Sequence, residues 1–461
     1  MFIGRKDELN ELKHKYNSNK LEMILLSGKR RVGKSQLIVE SSKTFVGKIV
    51  SYECFLSSYE ANLRLLEAEI KKIFNNTYLY FNSLYDVILF LHTNAEKEKI
   101  LLVIDEYPYM REGDTTDSEI KNALDKINEL DCCNPLKIIV CGSSIDVMET
   151  LDKQNKPLYG RFTSKINIYP LNYLESSYFY PKVSMEDKVN YYSVLGGVPY
   201  YLKQVDESLS FDENIIRLFF SSSPLLTSEL ESQINNEISK IEKAPLVLNI
   251  LKNKTLSYTD ILQAFNNSFP DKSIDYVLDR LTKIKAIEKL FIKQDNGKQK
   301  PYYRIKEISL VFYFTFLNHS HGNRLLYTDM DFYKTFIEDE LKHSYMPLMF
   351  EKIGFEFISL MNKNKLLPDK LFDLYPYIIN DRITKKNYQF DIVGECKKGL
   401  INYECKYQDN PIAKSTIIEE SRQAELSNEK FIKTVFISKS IIDDNKVEKY
   451  YLSDLFNNLL V

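Results

Sequence analysis

Tryptophan is absent, histidine occurs five times, and six cysteines (Cys54, Cys132, Cys133, Cys141, Cys396, Cys405) form no Cys-x-x-Cys pair. With no histidines at ligand spacing near those thiols, a zinc site is not expected. His319 and His321 would share one face of a strand, but isolated pairs of this kind are ordinarily surface residues and are left unassigned. Long apolar runs are missing too. Stretches such as Leu310–Leu317 fall far short of the ~20 residues that span a bilayer, so no membrane span is expected. The opening Met1-Phe2-Ile3-Gly4-Arg5 becomes a charged amphipathic segment, unlike a signal peptide, and a cytoplasmic location is the expectation. Nor does one sign of charge dominate. A net charge of −2 creates no global field for nucleic acid, so any basic surface must be local.

The remaining composition, 44% apolar and 27% charged, is that of an ordinary soluble protein and excludes disordered and fibrous classes. A chain of 461 residues exceeds a single core, and three or four domains are expected. Residues 22–170 alternate short apolar runs with amphipathic stretches, the pattern of a parallel α/β sheet. Met23–Leu26, Ile100–Ile104 and Ile138–Cys141 read as central strands covered on both faces. We therefore expect an α/β nucleotide-binding domain over 1–170 and a helical lid over 171–235. A winged helix-turn-helix should follow over 236–320, a linker over 321–344, and a second α/β domain over 345–461. Within the winged segment, helices are expected at Ala244–Leu251, Ser257–Phe265 and Ser273–Ile284, with Ser273 as N-cap. Asp295-Asn296-Gly297 would turn a hairpin between Lys289–Ile292 and Tyr302–Ile305.

Residues 28–35 read Gly-Lys-Arg-Arg-Val-Gly-Lys-Ser between a strand and the segment Gln36-Leu37-Ile38-Val39. Phosphates need many backbone N–H donors at short range, and a glycine-rich turn opening a helix supplies them with the positive end of the helix dipole. This is a P-loop of the kind that binds ATP with Mg²⁺. Gly28 and Gly33 permit the turn, Lys29, Arg30, Arg31, Val32 and Gln36 frame it, Lys34 reaches the β- and γ-phosphates, and Ser35 ligates Mg²⁺. The apolar strand Ile100–Ile104 then ends in Asp105-Glu106, as a Walker B segment does. Asp105 would hold Mg²⁺ through its water shell, and Glu106 would polarise the attacking water, which favours hydrolysis over binding alone. Gly142-Ser143-Ser144, after the next strand, occupies the position of a γ-phosphate sensor. Arg161, after Gly160, is a weak candidate for an arginine finger.

Phe2-Ile3-Gly4-Arg5-Lys6-Asp7-Glu8-Leu9, Asp105-Glu106-Tyr107-Pro108-Tyr109, Gly142-Ser143-Ser144 and Gly196-Gly197-Val198-Pro199-Tyr200 together resemble the landmarks of the archaeal ATPase family of AAA-like, signal-transducing P-loop ATPases. The resemblance extends over almost the whole chain. It implies that the segment containing Arg5 lies over the adenine and that Pro199 sits near the base.

Near the C-terminus, strands Tyr388–Val393 and Ile401–Lys406 are expected. Strand alternation puts Glu404 and Lys406 on one face and Tyr403 and Cys405 on the other. With Asp391 on the partner strand, Asp391 and Glu404 would hold a metal and Lys406 would position or activate a water. The family resemblance strengthens this reading. It implies a C-terminal restriction-endonuclease-like fold with a Glu-Ile-Asp…Glu-x-Lys pattern, preceded by a helix carrying Phe-Glu, here Phe350-Glu351. Gln389 departs from that pattern where glutamate is usual.

The segment 244–318 holds twelve Lys or Arg against seven Asp or Glu, a local charge of +5. Lys252, Lys254, Lys293, Lys298 and Lys300 are candidate phosphate contacts, although Asp275 and Asp279 on the third helix would repel a DNA groove. DNA contact and an internal relay of the nucleotide state are both open readings of this segment. Two functions therefore compete. One is an ATPase controlling nucleic-acid binding or cleavage, with DNA as partner. The other is a nucleotide-dependent scaffold for a protein partner or a second copy, with an inert nuclease-like domain.

Overall fold

The structure is a computed structural model that describes residues 2–129, 134–265, 271–294, 299–318, 326–380, 387–444 and 446–457. It divides into two units, Met1–Pro170 with Val198–Tyr200, and Leu171–Gly197 with Tyr201–Val461.

The first unit is built on five parallel strands: β1 (Glu22–Gly28), β2 (Lys48–Glu53), β3 (Ile100–Asp105), β4 (Lys137–Gly142) and β5 (Ser164–Ile168), in the order β2-β3-β4-β1-β5. Every residue of β1, β3 and β4 is buried, as continuous apolar runs require when both faces of a sheet are covered. The register pairs Ser27 with Gly142 and Ile104 with Val140. The carboxyl ends of β1, β3 and β4 therefore lie side by side, where open parallel sheets hold their ligands.

In the second unit, residues 171–197 and 201–235 are largely helical, including Tyr173–Ser177, Met185–Leu195 and Leu225–Gln233. Three helices follow at Ala244–Leu251, Tyr258–Ala264 and Asp271–Lys283. Ser257 caps the second by accepting from the backbone N–H of Asp260. Ser273 is not the N-cap expected from the sequence. The third helix begins two residues earlier, and the Ser273 hydroxyl accepts from Lys243 Nζ at 3.0 Å. Ile274, Val277, Leu278 and Leu281 on that helix are buried, as their three- and four-residue spacing requires. The turn expected at Asp295-Asn296-Gly297 lies outside the described residues, as do His319 and His321.

The same unit contains a mixed sheet. Its strands are β6 (Leu256–Ser257), β7 (Ile287–Gln294), β8 (Gln299–Ile305), β9 (Leu371–Asn380), β10 (Asn387–Cys396), β11 (Gly399–Lys406), β12 (Phe431–Ser438) and β13 (Lys449–Tyr451), ordered β13-β12-β11-β10-β9-β7-β8-β6. The winged segment and the C-terminal segment, expected as separate domains, thus share one sheet. The join is the parallel pairing of β7 with β9, Lys293 opposite Tyr377 and Gln294 opposite Ile378. Lys293 reinforces it with an ion pair to Glu395 at 2.8 Å and a position 3.8 Å from the Tyr375 ring centre. Strand β7 thereby pairs backbone groups that an edge strand would leave open.

The expected linker also takes a different form. From Asp329 the chain is helical through Asp329–Phe336, Glu338–Glu340 and Leu341–Tyr345 into the long helix Met346–Lys363. Phe332, Tyr333, Ile337, Leu341 and Tyr345 recur at helical spacing and are buried, an apolar stripe that the polar neighbourhood hid. Among the described residues no helix is long and apolar enough to cross a membrane.

Candidate functional site

The phosphate loop leaves β1 at Gly28, where a Cβ would come within 2.5 Å of the Ile168 carbonyl oxygen. Only glycine fits that approach. At the far end Gly33 has φ +94°, a left-handed conformation natural to glycine, and Arg31 adopts φ +68°. Lys34 opens the helix Lys34–Ser42. Its buried ammonium donates to the carbonyls of Gly28 at 2.9 Å and Lys29 at 3.0 Å, and lies 3.9 Å from Glu106 Oε1. Those are the bonds an anion in the loop would compete for.

Ser35 Oγ donates to Asp105 Oδ2 at 2.6 Å, so the end of β1 and the end of β3 bring two oxygen ligands together. That pair fits Mg²⁺, which takes hydroxyl, carboxylate and water oxygens. Asp105 Oδ1 also accepts from the backbone N–H of Glu106 at 2.9 Å, which fixes the carboxylate plane. Glu106 has φ +48° and starts a short turn over Tyr107–Tyr109. Its Oε2 accepts from the backbone N–H of Ser143 at 3.0 Å and the Ser143 hydroxyl at 2.8 Å. The candidate catalytic acid and the candidate phosphate sensor are therefore bonded to each other.

Arg5, in a left-handed conformation ahead of the helix Lys6–Asn17, sends its guanidinium to the carbonyls of Val32, at 3.2 Å, and Tyr169. It ties the N-terminal segment to the phosphate loop. Pro199 lies 3.8 Å from where a Cβ on Gly33 would stand, and Arg31 covers the Tyr200 ring at 4.2 Å. Arg30 donates to the Tyr109 hydroxyl. Gln36 is exposed at the start of its helix. Arg161 is engaged elsewhere, in an ion pair with Asp125 at 2.7 Å.

Sequence reasoning missed the brace behind the acid turn. Fully buried Asp117 accepts from Tyr107 Oη at 2.7 Å and from Arg111 Nε and Nη2 at 2.9 and 2.7 Å. The hydrogen bonds to Asp117 raise the Arg111 pKa further, and the pair locks the segment that follows Glu106. No local spacing announces it, because Asp117 reads as an ordinary acid in a helical first turn.

The C-terminal acids form a second cluster. Glu404 and Lys406, on β11, are ion-paired at 2.8 Å, and Lys406 Nζ also holds Glu420 at 2.8 Å from the helix Lys414–Glu425. Burial disfavours the Lys406 ammonium, but the two glutamates outweigh it and hold it above the usual lysine range. Glu351, on the helix Met346–Lys363, and Asp391, on β10, make no hydrogen bond or ion pair among the described residues. Burial first, then neighbouring carboxylates, push both above the ordinary carboxylate range. Glu420 was not among the expected residues, since one glutamate on an amphipathic helix carries no signal. Among the described residues no three His, Cys, Asp or Glu side chains stand close enough to enclose a metal ion. A metal at Asp391 and Glu404 would have to draw Glu404 away from Lys406.

Comparison with known proteins bears on both regions. Residues 2–205 match the family described as an ATPase domain predominantly from Archaea, and residues 313–424 match a family of archaeal and bacterial proteins of unknown function. An uncharacterized protein of Methanocaldococcus jannaschii is 26% identical over 386 residues, 81% of each chain. An uncharacterized ATP-binding protein of the same organism is 55% identical over 38 residues, 8% of this chain and 64% of its own length. Among solved structures, the Walker-type ATPase of Pyrococcus abyssi superposes with a TM-score of 0.51 at 19% identity, covering 68% of this chain and 96% of that one. That likeness is one of fold. Taken with the loop geometry, residues 2–205 are an ATPase domain of the family found predominantly in Archaea, carried in one chain with a C-terminal region of the second family.

Proposed function

We propose that the chain is a cytoplasmic ATP-hydrolysing switch whose nucleotide state governs engagement of nucleic acid by its second unit. The observation that carries the first half is the contact of five groups from three strand ends: Lys34 beside Glu106, Ser35 on Asp105, and Glu106 on Ser143. When ATP enters, Lys34 exchanges the Gly28 and Lys29 carbonyls for phosphate oxygens. The Ser143 N–H and hydroxyl turn from Glu106 to the γ-phosphate, which frees Glu106 to accept a proton from water. Mg²⁺ on Ser35 and Asp105 would neutralise charge developing on the phosphate oxygens. Arg5 and Pro199 support the loop. Calorimetry with Mg²⁺ tests this directly: Lys34→Ala is expected to lose ATP binding, and equal affinity in wild type and variant would remove the assignment.

The finer form of the proposal adds metal-dependent DNA cleavage, with Asp391 and Glu404 as ligands and Lys406 facing the phosphate. What supports it is a pair of acids beside that triplet, Glu351 and Asp391, that make no hydrogen bond or ion pair among the described residues. A second reading keeps the C-terminal region as an inert scaffold for a protein partner. What favours it is the Lys406 ammonium, already shared by Glu404 and Glu420. Incubation of the full chain with supercoiled DNA and Mn²⁺ separates them, since cleavage lost in Asp391→Ala supports the first and intact DNA supports the second.

A further inference from the structure

The second unit contains a cavity of about 560 Å³, within the range of sites that enclose small ligands. One wall is the winged segment, through the loop after Ala244–Leu251 and the strands β7 and β8. The rest of the lining includes Glu351 on the helix Met346–Lys363 and Asp391 on β10. The join between β7 and β9 puts the strands of both parts in one sheet. On the winged wall, Lys289 and Phe291 stand two residues apart on β7, both exposed, and therefore share a face. Lys289 Nζ lies 5.5 Å from the Phe291 ring centre. Lys254, also exposed, faces the same space, and neither lysine makes an ion pair among the described residues. Arg304 contributes a further cation and is paired at 2.5 Å with Glu288, which is outside the cavity lining.

We propose that this cavity binds a short stretch of single-stranded nucleic acid, with Lys254 and Lys289 on backbone phosphates and Phe291 under a base. The proposal rests on the nucleic-acid half of the function above and not on cleavage. A nucleic-acid strand presents one charge and one flat ring per residue, and a lysine two positions from an exposed phenylalanine on one strand face meets both together. Aromatic platforms flanked by cations are the recurrent means of holding single strands. The cavity is too small for a length of duplex and accommodates one or two nucleotides. Glu351 and Asp391 line the same space and make no hydrogen bond or ion pair among the described residues. In their ionised form they repel a phosphate and favour the strand on the winged segment. This site differs from a groove-reading winged helix, whose third helix here pairs Lys283 with Asp279 at 2.5 Å.

The test is fluorescence anisotropy of a labelled oligodeoxythymidine of about 12 nucleotides with the full chain at low salt. Wild type should bind it more tightly than a duplex of the same length. Lys254→Glu with Lys289→Glu should weaken binding at least ~10-fold and reduce the salt slope by about 1.4, the share of two lost contacts on a single strand. Phe291→Ala should weaken it about 10-fold, and Phe291→Tyr should restore it. Asp391→Asn should tighten metal-free binding, and more so as pH rises and ionises the wild-type carboxyl. Lys430→Glu, exposed just ahead of β12 and outside the cavity lining, serves as the control and should change affinity by less than about 2-fold, since an exposed charge beyond the contact is screened. Absence of binding by wild type, preference for duplex, or equal loss in the Lys430→Glu control overturns the cavity proposal. ATP turnover measured on the same preparations keeps the two readings apart. Turnover without oligonucleotide binding sinks this site alone, whereas turnover unaltered in Lys34→Ala sinks the nucleotide assignment.

Discussion

The nucleotide site and the C-terminal acid cluster each gather charged groups at strand ends, yet they satisfy them differently. Around the phosphate loop every charged group is answered before any ligand arrives: Lys34 by two carbonyls and Glu106, Asp105 by Ser35, Glu106 by Ser143. At the cluster, Lys406 answers Glu404 and Glu420, while Glu351 and Asp391 line a cavity and make no hydrogen bond or ion pair among the described residues. The first arrangement is a set of bonds for a ligand to exchange. The second stores repulsion that a cation or a change of protonation relieves. Under the proposed function, catalytic preorganisation belongs to the first unit, and a stability that depends on cation or protonation belongs to the second.

The largest expected effect breaks the first half of that comparison. Glu106→Gln keeps the hydrogen bond to Ser143 but cannot accept a proton, so turnover should fall by about 10²–10⁴-fold while ATP affinity is kept. Rapid-quench measurement of phosphate release checks it, and a turnover within a few-fold of wild type would assign the base elsewhere. Next is Lys406→Met, which leaves Glu404 and Glu420 without their shared cation. Loss of one partner of a largely buried pair costs about 3 kcal/mol, read as a lower midpoint in urea. A stability unchanged by the substitution would mean that the cluster is not held by Lys406.

A third prediction concerns pH. Glu356 accepts from the backbone N–H of Tyr173 at 2.9 Å and from Tyr192 Oη at 2.7 Å, yet burial pushes its carboxyl up to about 7. Its folded pKa lies above the unfolded value near 4.5. The contribution to stability is therefore complete below that value and is lost as pH rises through 7. Unfolding free energy should fall by about 2 kcal/mol between pH 5 and pH 8 from this group. Glu356→Gln should flatten the slope, and an equally steep slope in the variant would place the titration elsewhere. The smallest effect sharpens the contrast in packing. Gly354 faces Cys405, whose sulfur would come within 2.5 Å of an added Cβ. Gly354→Ala should therefore cost about 1–2 kcal/mol by overpacking, with ATP turnover unchanged.

Much of the first unit was legible because its strands are continuous apolar runs and its ligand groups are contiguous in sequence. Gly28 to Ser35 is one loop, and Asp105-Glu106 closes one strand. The second unit was less legible for two physical reasons. The helices after Asp329 carry their apolar stripe, Phe332, Tyr333, Ile337, Leu341 and Tyr345, inside a polar stretch that reads as a linker. The pairing of β7 with β9 joins residues more than 80 positions apart (Lys293 with Tyr377), and no periodicity within either strand specifies its neighbour. The same holds for the acids. Strand alternation put Glu404 and Lys406 on one face, but the Glu420 that completes the ion triplet comes from a separate helix, and only the tertiary fold brings it there.

The central claim is that Lys34 and Glu106 divide binding from hydrolysis at one ATP site. Titration of ATP with Mg²⁺ into wild type, Lys34→Ala and Glu106→Gln, with phosphate release followed on the same samples, tests it most directly. The account predicts no binding heat from Lys34→Ala, and wild-type affinity with little phosphate release from Glu106→Gln. Undiminished phosphate release in both variants would contradict it.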